Sequence, residues 1–326
     1  MEYVSLGNSS IRVSRLCFGS LTVGPLQANF PVCEGAEIIA YAFESGINFI
    51  DTAQYYRTYD YIKAAIDICS KRDIVISSKT YAYDRRGAKE ALEEALALTG
   101  RDYIDIFMLH EQESIETLRG HKEALEFLFE AREKGYIRAV GASMHHIAAV
   151  KGVVDLKSRG IFDFDVIHPI FNMAGIGIAD GDVGEMMAAM KSAKDLGIGI
   201  FGMKSLGGGH LYNKEKEAFD FVPDSGVCDS IAVGMQSKRE VDANIEYFTN
   251  REFSKDAENY LSNKKRSLHI EDYCEGCGKC VERCFNGALK LVENVDGSKH
   301  AECDSSRCVM CSYCRGVCPL FAIKVL

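Results

Sequence analysis

Short apolar stretches recur along most of this 326-residue chain at a nearly constant interval. Seven polar or glycine residues mark the ends of successive stretches: Asp51, Lys79, His110, Ser143, Asn172, Lys204 and Gly234. The gaps between neighbouring marks are 28, 31, 33, 29, 32 and 30 residues. Amphipathic segments such as Gly87–Thr99 and His121–Lys134 fill these gaps with apolar residues at helical spacing. Strands that alternate with helices predict repeated βαβ units and a parallel sheet.

The chain contains eight such strand–helix units. The predicted strands are Arg15–Phe18, Asn48–Asp51, Ile74–Lys79, Tyr103–Leu109, Ala139–Ala142, Asp165–Ile170, Gly197–Gly202 and Ser230–Val233. Eight units favour a closed (β/α)8 barrel, since open parallel sheets usually have about five or six strands. Before the first unit, Tyr3–Leu6 and Ile11–Val13 flank Gly7-Asn8, which predicts a hairpin that closes the barrel floor.

The thirteen cysteines are distributed very unevenly. Four of them are scattered over the first 268 residues, where we interpret them as small buried apolar side chains. The other nine lie between Cys274 and Cys318. So dense a group in a reducing compartment indicates metal ligands rather than disulfides.

Eight of these cysteines form two runs with the same spacing, C-x2-C-x2-C-x3-C. The runs are Cys274, Cys277, Cys280, Cys284 and then Cys308, Cys311, Cys314, Cys318. They resemble the two-cluster bacterial ferredoxin signature, in which the fourth cysteine of each run binds the other cluster. The resemblance implies two [4Fe–4S] clusters, one held by Cys274, Cys277, Cys280 and Cys318 and the other by Cys308, Cys311, Cys314 and Cys284. Paired zinc sites are the alternative, and the duplicated spacing argues against them.

Two residues depart from that signature. Phe285 occupies the place of the proline expected after the first run, which removes a turn preference but no ligand. Cys303 is a ninth cysteine without an assignment. We expect it to be a small residue near a cluster, with a role as a substitute ligand as the alternative.

These patterns divide the chain into a barrel at residues 1–248, a polar linker at 249–268, and a small α+β ferredoxin-like domain at 269–326. The formal net charge is −9 and there is no basic run, so neither nucleic acid nor an anionic membrane is an expected partner. No apolar run approaches the roughly 20 residues that span a bilayer. The first residues lack the features of a secretory signal, so we expect a cytoplasmic protein.

Four side chains at the ends of three successive predicted strands form a chemically specific set. Asp51 and Tyr56 follow the second strand, Lys79 ends the third and His110 follows the fourth. In a barrel these positions meet at the carboxyl rim, where active sites are built. A phenol is a weak acid near neutral pH, and an ammonium held beside it by a carboxylate favours its ionisation. The set can therefore protonate an oxygen, with the imidazole orienting the carbonyl group.

The sequence D-T-A-x-x-Y beginning at Asp51, followed by a strand-end lysine and a strand-end histidine, resembles the aldo-keto reductase superfamily. The resemblance implies that Tyr56 is the general acid, that Lys79 lowers its pKa, that Asp51 holds Lys79, and that His110 orients the substrate. With its tail, the whole chain resembles the aldo-keto reductases that carry a C-terminal domain with two [4Fe–4S] clusters.

The resemblance also implies a nicotinamide dinucleotide, NADP or NAD. The residues implied at the nicotinamide are Ser143, His168, Asn172 and Met203, those around the pyrophosphate are Lys204, Ser205, Leu206 and Gly208, and those around the adenosine are Gly234, Gln236, Ser237 and Asn244. Glu240 stands where a basic or amide side chain often meets the 2′-phosphate of NADP. Family habit thus favours NADP, whereas the local charge opposes it.

We expect an NAD(P)H-dependent oxidoreductase that reduces a small aldehyde or ketone, with Tyr56 as proton donor and two clusters for electron transfer, and with a redox partner protein as a further partner. The alternative is an electron-transfer protein in which the barrel is a docking scaffold and the four rim residues are vestigial. A hydride carries two electrons and a cluster accepts one, so the sequence leaves the part that the clusters play in turnover open. It also leaves the substrate and the presence of a flavin open.

Overall fold

A computed structural model describes residues 1–326. Eight parallel strands close into a barrel, in the order β10-β3-β4-β5-β6-β7-β8-β9. Their bounds are β3 Leu16–Gly19, β4 Phe49–Asp51, β5 Val75–Thr80, β6 Ile104–Leu109, β7 Ile137–Met144, β8 Val166–Pro169, β9 Gly199–Met203 and β10 Ser230–Gly234. The predicted (β/α)8 barrel is confirmed, and each strand overlaps its predicted segment.

Helices surround the barrel between successive strands. They are α1 Val32–Glu44, α2 Tyr59–Ile68, α3 Arg85–Thr99, α4 Ile115–Gly120, α5 Lys122–Glu133, α6 Ile147–Ser158, α7 Val183–Asp195, α8 Glu215–Asp224 and α9 Lys238–Asn250. Local chemistry sets their ends: Asp84 accepts a hydrogen bond from the Gly87 amide at 2.7 Å at the start of α3, and Gly100 takes the left-handed conformation at its end. None of the helices combines the length and the apolar character required to cross a lipid bilayer.

The barrel has two apolar layers. The outer layer lies between the strands and the helices, and the inner layer fills the barrel with residues that include Phe49, Met108 and Phe201. Strands β1 (Tyr3–Ser5) and β2 (Arg12–Ser14) pair antiparallel, and Leu6 and Val13 pack into the inner layer. The predicted floor hairpin is therefore present, and it excludes water from the end of the barrel opposite the rim.

The C-terminal segment forms a small α+β unit. Strand β11 (Leu268–Ile270) pairs antiparallel with β14 (Ile323–Val325), and β12 (Leu289–Glu293) pairs with β13 (Lys299–Cys303). Helix α11 (Lys279–Arg283) and a 3-10 turn at Tyr313–Val317 carry cysteines of the two runs. Within the segment predicted as a polar linker, helix α10 occupies Lys255–Asn263 and begins at Ser254, whose hydroxyl accepts from the Ala257 amide.

The end of this unit packs directly on the barrel rim. The Val325 amide donates to the Gly208 carbonyl at 2.9 Å, and His210 Nε2 lies 2.8 Å from the Ile323 carbonyl oxygen. Gly209 has a φ of +84°, and a Cβ there would lie 1.9 Å from the Val325 carbonyl oxygen. A side chain at position 209 is therefore incompatible with the present course of β14.

Replacing Gly209 by alanine tests this contact. Gly135 is a matched control, because its φ is +83° and nothing lies within 4 Å of its Cβ position. Both substitutions incur the left-handed backbone strain of about 1–2 kcal/mol. Only Gly209→Ala also overpacks a contact, at a cost of about 1–3 kcal/mol. We expect Gly209→Ala to lower the midpoint of thermal unfolding further than Gly135→Ala, and to speed proteolysis of the C-terminal segment. Equal shifts would contradict the contact.

Candidate active site

The four rim residues of the sequence analysis lie on neighbouring strands. Asp51 ends β4, Lys79 lies on β5, and His110 directly follows β6. In the parallel register Asp51 is opposite Ser77 and Lys79 is opposite Met108. Because parallel strands end at the same edge, the closed barrel brings these side chains to one rim.

A buried ion pair joins Asp51 and Lys79. The Lys79 Nζ donates to Asp51 Oδ1 at 2.8 Å, to Oδ2 at 2.7 Å, and to the Thr52 carbonyl at 2.7 Å. Lys79 is 1% exposed and Asp51 5%. Burial raises the pKa of Asp51, but the Lys79 ammonium and His168 outweigh burial and hold that pKa well below its ordinary value. The carboxylate therefore stays ionised and the ammonium stays in place.

Tyr56 stands over this pair. Tyr56 is the last residue of a 3-10 turn at Gln54–Tyr56, and the centroid of its ring lies 4.8 Å from the Lys79 Nζ. The loop is braced from below, since the Thr58 hydroxyl lies 2.7 Å from that of Thr52 and 2.8 Å from that of Ser20. Sequence alone therefore missed the buried hydroxyls that fix the position of the phenol.

The direction of the Tyr56 pKa differs from the expectation. Burial and the Asp51 carboxylate raise the pKa of Tyr56 well above its ordinary value, and Glu111 adds to the effect. The physical reason is that Asp51 neutralises the Lys79 ammonium and that the phenol is removed from water. Tyr56 is consequently a protonated phenol at neutral pH, the form that a proton donor requires.

His110 is held as a neutral imidazole. Burial and the nearby Lys79 lower its pKa well below the ordinary value. Its ring stacks on Tyr81 with centroids 4.3 Å apart and meets the Tyr56 ring edge-on at 5.6 Å. The Nδ1 atom is buried without a hydrogen-bond partner in the chain. A neutral imidazole beside the phenol can donate a hydrogen bond to a carbonyl oxygen, while the phenol is the group that transfers its proton.

These residues open into one large cavity of about 1130 Å³. It runs from Asp51, Tyr56 and His110 along the rim to Asn244. Nine of the residues assigned to a dinucleotide line it: His168, Met203, Lys204, Ser205, Leu206, Gly208, Gly234, Gln236 and Asn244. The cavity is large enough and long enough for an extended dinucleotide.

Three assigned residues do not line the cavity and have structural partners instead. The Ser143 hydroxyl accepts from the Glu111 amide at 2.9 Å. The Asn172 side chain bridges its own loop, accepting from the Ile176 amide and donating to the Ile176 carbonyl, each at 2.9 Å. Ser237 caps α9 and lies 2.9 Å from the Tyr260 hydroxyl. In the folded chain these side chains fix loops around the cavity.

His168, one of the nine, and Glu240, at the expected place of the 2′-phosphate, each have a charged neighbour. His168 Nε2 lies 3.6 Å from Asp51 Oδ2 and its Nδ1 lies 2.6 Å from the Phe201 carbonyl, so it is a second neighbour of the Asp51 carboxylate. At the far end of the cavity, Glu240 accepts from the Gln236 amide at 2.6 Å and pairs with Lys264 at 2.5 Å. The Lys264 ammonium offsets the charge that the sequence analysis weighed against NADP.

The C-terminal unit supplies part of the cavity wall, which the sequence did not reveal. Glu271, Tyr273, Phe321 and Lys324 line it together with Tyr56. No local motif signals these positions, because only the docking of β14 on the Gly207–Gly209 loop brings them to the rim. Tyr81 also lines the cavity, and its position two residues after the strand-end lysine is a signal that could have found it.

The nine cysteines of the C-terminal unit lie in two neighbourhoods. Cys274, Cys277, Cys280 and Cys318 line one small cavity, although Cys318 belongs to the second run. Cys303 lies near Cys284, Cys308 and Cys314, and Cys314 lies near Cys308 and Cys311. No group of three or more acidic, histidine or cysteine side chains has an arrangement that could hold a single metal ion. A [4Fe–4S] cluster instead takes four cysteine thiolates, as both groups provide.

Comparison with known proteins fits this geometry. The model of the aldo/keto reductase family matches residues 15–267, and that of the 4Fe-4S dicluster domain matches residues 273–322. The chain belongs to the aldo/keto reductase family. The similar proteins include ones named as a reductase and as an oxidoreductase. The C-terminal segment of this chain is an iron–sulfur domain that follows the barrel.

The individual relatives are distant. The chain is 27% identical to the aldo-keto reductase YhdN of Bacillus subtilis over 53% of its own length and 54% of that protein. It is 26% identical to the methylglyoxal reductase DkgA of Yersinia pestis over 41% and 48%. The chain thus spans only about half the length of these relatives. The holo form of an aldo-keto reductase from Bacillus halodurans has the same fold, with a TM-score of 0.65, 18% identity, and 80% and 95% coverage.

The buried ion pair predicts a large effect of Lys79→Met. Removal of one partner from a buried pair typically costs about 3–5 kcal/mol, because the other charge is left uncompensated. The double variant Asp51→Asn/Lys79→Met should recover much of that loss, and Lys89→Met, whose 3.4 Å pair with Glu93 is exposed, should cost little. Urea unfolding at pH 7 measures these differences.

The same prediction has a defined pH dependence. Since folding lowers the pKa of Asp51, the stabilisation is fully present above the unfolded value of about 3.9 and is lost as pH falls below it. A double variant as unstable as Lys79→Met would contradict the pairing.

Proposed function

We propose that the protein is an NAD(P)H-dependent carbonyl reductase in which Tyr56 donates the proton. The observation that carries the proposal is the buried Lys79–Asp51 pair beneath a protonated phenol, with a neutral His110 beside it in one long cavity. This arrangement matches the needs of carbonyl reduction, in which an oxygen gains a proton as its carbon gains a hydride.

The chain's own residues would act as follows. A bound nicotinamide supplies the hydride to the carbonyl carbon. Tyr56 donates its hydroxyl proton to the carbonyl oxygen, so that the product is an alcohol. The Lys79 ammonium stabilises the phenolate left behind, the Asp51 carboxylate holds that ammonium in place, and His110 orients the carbonyl oxygen by a hydrogen bond. The phenolate is then reprotonated from solvent.

We propose that the cavity residues from Met203 to Asn244 hold the dinucleotide. The backbone of Lys204, Ser205, Leu206 and Gly208 would lie along the pyrophosphate, while the Lys204 side chain extends to His145, and Gln236 and Asn244 would lie along the adenosine. Because Lys264 neutralises Glu240, the pair is compatible with NADP as well as with NAD. The substrate is a small carbonyl compound, in keeping with the methylglyoxal reductases among the relatives.

We further propose two [4Fe–4S] clusters that serve electron transfer, with a redox partner protein. The donor set fits, since four of the assigned cysteines line one small cavity and the other four lie around Cys303 and Cys314. Cys318 lines both the small cysteine cavity and the large cavity of Tyr56, so the inner group adjoins the proposed active site. We retain residues 1–248, 249–268 and 269–326 as the proposed barrel, connecting segment and cluster domain.

Replacement of Tyr56 by phenylalanine tests the proton donor. The ring and its packing remain, so dinucleotide affinity should persist, whereas kcat/KM for an aldehyde should fall about 10²–10⁴-fold through loss of general acid catalysis. Tyr59→Phe is the control: that hydroxyl is also buried, but it lies 2.6 Å from the Ser78 hydroxyl and away from the cavity. Its loss should reduce stability by about 1 kcal/mol and leave the rate unchanged.

Two results distinguish the proposal from the alternative. Reduction of the aldehyde by Tyr56→Phe at the wild-type rate would show that Tyr56 is not the proton donor. If NAD(P)H bleaches the cluster absorbance equally in the wild-type protein and in Tyr56→Phe, and no carbonyl compound is reduced, the electron-transfer scaffold is favoured.

Replacement of Cys284 tests the crossed cluster assignment. Anaerobically purified protein should hold about eight iron atoms per chain, and Cys284→Ala should lose about four of them by disrupting the group that contains Cys308 and Cys314. Cys303→Ala is the matched control, since Cys303 lies in the same group but is not an assigned ligand. Iron content and the electron paramagnetic resonance of the reduced protein measure both. Loss of iron in Cys303→Ala alone would identify Cys303 as the ligand.

A further inference from the structure

Two lysines in the large cavity lack a carboxylate partner. Lys324 lies on β14 and is 4% exposed, and its Nζ donates to the Phe321 carbonyl and lies 3.3 Å from the Phe321 ring centroid. The Lys204 Nζ lies 5.0 Å from the centroid of the same ring. Lys79 and Lys264 also reach the rim, and each pairs with an acid. The two amino groups without an acid partner lie instead over one aromatic ring, that of Phe321.

A histidine completes this group of basic side chains. His145 Nε2 lies 3.2 Å from the Lys204 Nζ, and the His145 ring meets the Phe321 ring edge-on at 6.5 Å. His145, Lys204 and Lys324 all line the cavity that contains Tyr56 and His110. Burial and the other lysine lower the pKa of Lys324 to about 6. Burial and Lys204 also lower the pKa of His145, so the three basic groups disfavour one another's protonation. An anion bound among them would offset that repulsion and would bind together with a proton.

The acids nearest to this group have other partners. Glu111 accepts from the Tyr81 hydroxyl at 2.6 Å, and Glu271 lies 3.6 Å from His269. Both line the cavity and favour the charged forms of the lysines at longer range, but neither makes an ion pair with Lys204 or Lys324. Direct contacts to the two amino groups therefore remain available to a ligand.

The geometry points to a subsite for an anionic group of the substrate, formed by Lys204, Lys324 and His145. The substrate class is a carbonyl compound with a carboxylate near the reacting carbon, such as a 2-oxo acid. This inference rests on the proposed carbonyl reduction. In the overall reaction a 2-oxo acid takes a hydride from NAD(P)H and one proton from Tyr56, and the products are a 2-hydroxy acid and NAD(P)⁺.

The subsite gives the C-terminal unit a role in substrate choice. Lys324 and Phe321 come from that unit, whereas Lys204 and His145 come from the ends of barrel strands β9 and β7. The two parts meet because Gly208 allows the approach: a Cβ there would lie 3.0 Å from both Lys324 Cδ and Phe321 Cζ. The anion would thus bind only when β14 is docked on the rim.

The test compares phenylglyoxylate with its methyl ester in the full-length, cluster-containing protein under argon. Both present the same ketone, and the ester is the more electrophilic of the two. We expect kcat/KM for the acid to exceed that for the ester by about tenfold or more, since charge-assisted contacts are strong in a dry site. Lys324→Met should abolish this preference by lowering kcat/KM for the acid alone. The matched control is Lys290→Met, an exposed lysine of the same unit that pairs with Glu302.

Two outcomes would overturn the subsite. Equal kcat/KM for the acid and the ester in the wild-type protein would overturn the subsite, and this comparison requires no variant to fold. A rise in the KM for NAD(P)H in Lys324→Met, equal with both substrates, would also overturn it by assigning the lysines to the cofactor pyrophosphate.

Isothermal titration of the oxidised protein separates binding from turnover. Tighter binding of phenylglyoxylate than of the ester, lost in Lys324→Met, would support the subsite even if neither compound were reduced. In that case the proposed carbonyl reduction would fail while the subsite stood.

Discussion

The buried ion pair between Asp51 and Lys79 constrains the whole rim of the barrel. A carboxylate and an ammonium that are almost fully removed from water are stable only in close contact with each other and with hydrogen-bond partners. The parallel register of β4 and β5 provides that contact, and the floor hairpin keeps water from the other end of the barrel. The pair in turn sets the electrostatic environment in which Tyr56 stays protonated and His110 stays neutral.

The second constraint is the close approach of the C-terminal strand to the rim. The family resemblance assigned Gly208, within the Gly207–Gly209 loop, to the pyrophosphate, and the backbone NH groups of such a glycine-rich turn suit a phosphate. In the structure these glycines have a further reason to lack side chains. A Cβ at Gly209 would meet the Val325 carbonyl, and one at Gly208 would meet Lys324 and Phe321. One glycine-rich segment thus serves both the cavity and the docking of the cluster domain.

Sequence patterns were sufficient where a property is local or periodic. Strand spacing predicted the barrel, and the resemblance of the cysteine runs to a two-cluster ferredoxin implied a place for Cys318 beside the first run, where the structure has it. They were insufficient where a property depends on packing between distant segments. The direction of the Tyr56 pKa depends on burial and on the neutralisation of Lys79 by Asp51, and the wall position of Lys324 depends on β14. The internal hydrogen bonds of Asn172 likewise follow from a loop shape that no motif encodes.

This shared wall limits what deletion of the cluster domain can reveal. Removal of residues 269–326 would eliminate the clusters, but it would also remove Glu271, Tyr273, Phe321 and Lys324 from the cavity and uncover the loop around Gly209. A loss of activity would then follow from a broken substrate site as readily as from a broken electron path. Substitutions of single cysteines leave the wall in place, since the small cysteine cavity and the large cavity share Cys318 but not Cys274, Cys277 or Cys280. Of the eight assigned cysteines only Cys318 lines the large cavity, so changes confined to the other seven separate the redox role of the domain from its role as part of the active-site wall.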